Sequence, residues 1–185
     1  LIQNAFYRLK EQDKNATCLY IDIYPTKNQA EMVKMLGEAV INEVMSRNKS
    51  LRRKALEFFG AWKPVFGLDP LTGSPTLSIH IEPRQSDMTL KGIFDYLKTL
   101  NHDVFIAVDE FQQVSEYPEL STEALLRSHI QFAHNVHFIF SGSKQHLMAE
   151  MFGSPQRPFY QSTETMGLLP LDETIYYEFA NRFFV

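Results

Sequence analysis

Residues 104–108, Val-Phe-Ile-Ala-Val, run without a polar break and end on two adjacent carboxylates, Asp109 and Glu110. A strand that is apolar on both faces must be buried on both faces, as in the middle of a parallel sheet covered by helices. In open α/β sheets, ligands gather at the carboxyl ends of such strands. Two acids at that edge are what a phosphate-bound metal and an attacking water need. The same pattern arises where a strand simply runs out into a polar loop, so taken alone it leaves both readings open.

The rest of the composition narrows the class. With 185 residues, 44% of them hydrophobic and 22% charged, the chain suits one globular domain spanning residues 1–185, with length enough for a real core. The net charge of -4 and pI near 5.9 argue against a broad nucleic-acid footprint. A single cysteine, Cys18, excludes an internal disulfide and a cysteine-rich zinc site, and suits a reducing cytoplasm. No stretch approaches the roughly 20 apolar residues of a membrane span, and no signal peptide is visible.

Along the chain, helical and strand periods alternate. LIQNAFYRLKEQ reads as a helix with no start signal before it, which raises the expectation of a fragment cut from a longer protein. Residues 17–24 read as a strand stopped by Pro25, with Asp22 as a sheet-edge carboxylate. Asn28 and Glu31 resemble a capping box ahead of a helix whose Val33, Leu36, Val40, Ile41, Val44 and Met45 form one apolar stripe. Residues 46–63 suggest a short helix with a solvated basic face (Arg47, Lys49, Arg52, Arg53, Lys54). The prolines and glycines of 64–75 suggest a loop, and 76–82 alternates as a peripheral strand or hairpin arm with His80 on its polar side.

Asp87 is expected to cap a helix carrying Leu90, Ile93, Phe94, Leu97 and Leu100, which leads into the 104–108 strand. Pro118 and Ser121 mark a loop and the start of another amphipathic helix. A third buried strand, 136–140, ends in Ser141-Gly142-Ser143. The G-x-S-x-G pattern of a nucleophile elbow is absent, so these hydroxyls read as hydrogen-bond donors toward a phosphate or water. His129 and His134 lack an HExxH-type partner and read as packing or surface residues. Residues 166–171 suggest a short apolar strand, and Asp172 a cap for an aromatic-rich last helix, 174–184.

In this order the segments VFIAVDEFQQV, FIFSGSKQHLMAEMF, RPFYQSTE and LLPL resemble the archaeal-type P-loop ATPase family, related to the AAA+ and STAND classes. DEFQ and SGS, with their spacing, are the most specific of these matches. The resemblance implies a three-layer α/β/α parallel-sheet P-loop NTPase core. It implies Asp109 at a Mg²⁺ ion, Glu110 orienting and deprotonating the attacking water of ATP hydrolysis, and Ser141 or Ser143 as the sensor group. Arg157 becomes a candidate arginine finger, equally readable as an ordinary loop arginine, and Gln112 a residue coupling the acidic loop to a partner. The family's Walker A, G-x-x-x-x-G-K-[ST], is absent from these residues, and no G-K-[ST] occurs. The expectation is therefore a core truncated at its N-terminus, with first strand and P-loop upstream of Leu1. ATP and Mg²⁺ would serve the complete protein, a protein partner or homo-oligomer is possible, and nucleic acid would be reached only through domains further downstream.

Two other classes remain. The chain is alternatively an interaction module with a slow or dead nucleotide site, its last helix and the acidic loop from Glu116 to Glu123 being partner surfaces. A metal-dependent nuclease using Asp109 and Glu110 directly is disfavoured, because Phe111-Gln112 follows where such sites carry a lysine.

Overall fold

A computed structural model describes residues 1–46, 65–68, 75–78, 81, 83–170 and 172–184. Its centre is a sheet of three parallel strands in the order β1 (Thr17–Asp22), β4 (Val104–Asp109) and β5 (Val136–Phe140). Helices cover both faces, as an apolar central strand requires. On one side α1 (Ile2–Gln12) lays Phe6 against Cys18 and Ala107. On the other, α2 (Gln29–Ser46) and α3 (Ser86–Lys98) bury their stripes against the sheet's opposite face. Val33, Leu36, Val40, Ile41 and Val44 of α2 join Leu90, Ile93, Phe94 and Leu97 of α3 around Ile106 and Val108. Alternation along β4 thus sends Phe105 and Ala107 toward α1 and Val104, Ile106 and Val108 toward α2 and α3.

The remaining elements sit at the edges. β2 (Val65–Leu68) and β3 (Pro75–Ser78) pair antiparallel as a separate ribbon. A 3-10 helix, Phe111–Glu116, leaves the carboxyl end of β4, followed by α4 (Thr122–Ile130), α5 (Gln145–Gly153) and α6 (Glu173–Phe184).

Several sequence expectations need correction. The 64–75 stretch is not a loop throughout, because Val65–Leu68 is the second arm of the hairpin suggested for 76–82. Pro75 is tolerated because it opens its strand. His80 and the basic cluster from Arg47 to Lys54 lie outside the described residues. β5 is not buried on both faces; as the outer strand of the sheet it leaves His137 exposed and Ile139 38% exposed. Residues 166–170 form no strand: Met166 and Leu169 are exposed and nothing described pairs with them, and an apolar run without a neighbouring ladder has no reason to extend.

Helix starts also divide. Asn28 Oδ1 accepts from the Glu31 amide at 2.9 Å, while Glu31 reaches the Lys27 amide at 2.8 Å, a capping box displaced by one residue. Asp172 caps α6 through the Thr174 and Ile175 amides. Asp87 does not cap α3; its carboxylate accepts from Gln29 Nε2 at 2.5 Å, tying α3 to α2. Ser121 makes no side-chain cap bond to α4.

Candidate functional site

The parallel register brings three strand ends to one edge. Asp109 closes β4 opposite Asp22 of β1, and the Ser141 amide bonds to Val108 O while the Phe111 amide bonds to Ser141 O. The loop after β5 is thereby stitched to the loop after β4. Asp109, Glu110, Ser141 and Ser143 meet there, as the sequence suggested.

Each acid is held by its own serine. Ser141 Oγ donates to Asp109 Oδ1 at 2.6 Å, and the Glu110 amide donates to the same oxygen at 3.1 Å. The Tyr20 hydroxyl donates to Asp109 Oδ2 in a short bond. Partial desolvation alone would raise the Asp109 pKa, but the bonds from Ser141, Tyr20 and the Glu110 amide outweigh it and hold the carboxyl below its ordinary value. Tyr20 is the counterpart: its bond to Asp109, burial and the surrounding negative charge push it up to about 12. Of the roughly four lone-pair sites on a carboxylate, these donors occupy three, leaving one on Oδ2 open. Asp109 is an anion with one unused acceptor position.

Glu110 occupies a left-handed backbone conformation, φ 55° and ψ 39°, and such positions cost about 1–3 kcal/mol when no glycine relieves them. The conformation turns the chain from β4 into the 3-10 helix and drops Phe111 under Phe140, Phe152 and Phe159, with its ring 4.2 Å from that of Phe140. Phe111 is fully buried, so this packing holds the strained residue before it. Glu110 Oε2 accepts from Ser143 Oγ at 3.0 Å and from Gln112 Nε2 in a short bond. The two serines are therefore distinguished: Ser141 serves Asp109 and Ser143 serves Glu110.

Gln112 is 2% exposed, too deep to reach a partner protein as the sequence reading proposed. Arg157 is not brought to the acids. Its guanidinium lies 3.1 Å from Glu123 and 3.6 Å from Glu150 and donates to Ser115 Oγ at 3.4 Å, clamping α4, α5 and the 3-10 helix together. Burial pushes the Glu123 carboxyl up, with Arg157 opposing that shift and Glu150 adding to it. The supposed acidic partner surface is likewise engaged: Glu123 is buried, Glu116 pairs with Lys144, and Glu119 accepts from the Gln29 amide at the start of α2.

Sequence reasoning missed Tyr20, Gln112 as a partner of Glu110, and the Glu123–Arg157 pair. Strand alternation puts Tyr20 on the Cys18 face but says nothing of which strand lies beside it. Only the register does.

The donor set suits Mg²⁺, which is bound through one or two carboxylates while keeping waters and substrate phosphates. Among the described residues no three His, Cys, Asp or Glu side chains form a cation cage, and one anionic aspartate with a free acceptor position fits the former pattern.

No protein-family model and no curated protein matches the chain. Among solved structures it is similar to a Walker-type ATPase of Pyrococcus abyssi, with a TM-score of 0.53 and 20% identity over 94% of this chain and 47% of that one. It also matches the ORC2 protein of Aeropyrum pernix, solved as ADPNP–ADP complexes, with a TM-score of 0.40 and 16% identity over 80% of this chain and 31% of that one. The chain thus spans about half the length of the Pyrococcus protein. No helix among the described residues is long and apolar enough to cross a membrane. Three parallel strands flanked by helices give this chain the α/β fold of a Walker-type ATPase.

Proposed function

We propose that the Asp109–Glu110 edge is the hydrolytic half of a Mg²⁺-dependent ATPase site of AAA+/STAND type. The observation that carries this reading is the division of labour at the strand ends, with each acid fixed by its own serine and each left with an open acceptor position. Asp109 would hold the Mg²⁺ ion through its open Oδ2 position or through water. The metal, when bound, offsets phosphate charge. Glu110, anchored by Oε2, would orient the attacking water and accept its proton at Oε1. Ser143 or Ser141 would supply the sensor hydroxyl, Ser143 being the more exposed of the two. Arg157 acts as a finger only in a state in which it has released Glu123 and Glu150.

These 185 residues carry no G-K-[ST], so the proposed site needs its phosphate cradle from another segment. Glu110→Gln in the full-length protein should lower hydrolysis by about 10²–10⁴-fold and spare ATP binding, as for loss of a general base. Unchanged turnover would sink the assignment.

A slow nucleotide switch acting through a protein contact is the second reading. It is favoured by α6, which exposes Ile175, Tyr176, Tyr177 and Phe179 on one short helix.

A further inference from the structure

We infer that Gln112 is the positioning residue that fixes Glu110 for the hydrolytic step, an inference that rests on the reading of Glu110 as the base. Three observations converge on it. Gln112 is 2% exposed, and its Nε2 donates to Glu110 Oε2. Its Oε1 is buried, with no hydrogen-bond partner among the described residues. The space beside that oxygen is kept open by Gly142, where a Cβ would run into Gln112 Oε1 and sit 2.9 Å from Met148 Sδ.

Folding stability alone does not explain a glutamine there. A buried amide with one unbonded end carries a desolvation penalty that an apolar side chain of similar shape would not. Methionine would fill the same volume and already packs well in this neighbourhood, which holds Met148 and Met151. What methionine would lack is the N–H that grips the carboxylate.

That grip matters because of how Glu110 is otherwise held. Its backbone is left-handed, and its only other side-chain anchor among the described residues is Ser143, which is exposed. Gln112 is the anchor that solvent and substrate do not reach. It ties down Oε2 and leaves Oε1, which accepts no bond among the described residues, to take the water. The glycine of Ser141-Gly142-Ser143 has a reason in the same terms: it admits Gln112 to its position.

The test uses the full-length protein with Gln112→Met and, independently, Gly142→Ala, which displaces the amide from the far side. Turnover of Mg-ATP is measured together with the side-chain amide resonances of Gln112 in glutamine-labelled protein. Gln112→Met should lower kcat by about 10–100-fold, the usual effect of losing an orienting partner, with KM within about twofold and no loss of thermal stability. Gly142→Ala should lower kcat in the same direction. With Gln112 intact, the Gln112 amide resonances should move on Glu110→Gln. Wild-type kcat in Gln112→Met, or amide resonances indifferent to Glu110→Gln, overturns the inference. Resonances that respond, with no turnover of Mg-ATP by the protein carrying no substitution, instead overturn the hydrolytic reading, and the positioning role goes with it.

Discussion

Replacing Arg157 by methionine removes the only cation among the described residues that faces the buried Glu123 carboxylate. Glu123 lies at the start of α4 with its side chain 8% exposed, and its Oε1 is 3.1 Å from the guanidinium. Breaking a buried ion pair by deleting one partner costs about 3–5 kcal/mol, because the other charge is left without compensation. Arg157 itself is 27% exposed, so water can partly replace it, which puts the loss near about 3 kcal/mol. The companion contact to Glu150, at 3.6 Å with an exposed carboxylate, adds little. For a domain of this size, each kcal/mol moves Tm by about 2–4 °C, giving a fall of about 6–12 °C at neutral pH.

The pH dependence fixes the cause. Burial raises the Glu123 carboxyl above its ordinary 4.5, so protonation favours the folded state. Its contribution is fully present below 4.5 and is lost as pH rises through the raised folded value. Arg157 opposes that rise, so its removal lifts the folded value further and widens the window of loss toward neutrality. The Tm deficit of Arg157→Met should therefore be larger at pH 7.5 than at pH 5, and Glu123→Gln added to it should recover part of the loss at pH 7.5. Calorimetric or dichroism melts across that range measure it. A deficit under about 2 °C, or one independent of pH, refutes the buried-charge argument.

Phe111→Ala empties the aromatic cluster beneath the acids and should cost about 3–5 kcal/mol in denaturant unfolding. Since that packing holds Glu110 in its left-handed turn, turnover should fall more than stability alone predicts. Tyr20→Phe removes the donor on Asp109 Oδ2 and should weaken Mg²⁺ dependence of ATP turnover by about 10–100-fold, read from the magnesium midpoint. The same variant should raise the Asp109 carboxyl toward its ordinary 3.8. Because a depressed carboxylate stabilises above 3.8 and loses that contribution as pH falls through its folded value, acid unfolding of Tyr20→Phe should begin at higher pH.

What the sequence disclosed follows from which forces are local. The 104–108 run pointed to a doubly covered strand because an unbroken apolar run is most stable with both faces buried, and the acids at its end followed. The α2 and α3 stripes were legible because helix burial repeats with a fixed period. The SGS turn was found, but the pairing of Ser141 with Asp109 and Ser143 with Glu110 depends on strand register, which a single sequence does not encode. The 136–140 run was read as buried although it is the outer strand of the sheet, because apolar content does not tell a central strand from an edge one. Residues 166–170 looked like a strand for the same reason. The capture of Arg157 by Glu123 and Glu150 was out of reach, because charge pairing across about 34 residues leaves no periodic trace.

The most direct test is paired measurement of Mg-ATP hydrolysis and ATP binding in full-length protein, unsubstituted and with Glu110→Gln. The account predicts that the substitution lowers turnover by about 10²–10⁴-fold while calorimetry shows binding retained. Turnover that survives Glu110→Gln, or an unsubstituted protein that neither binds nor hydrolyses Mg-ATP, would contradict it.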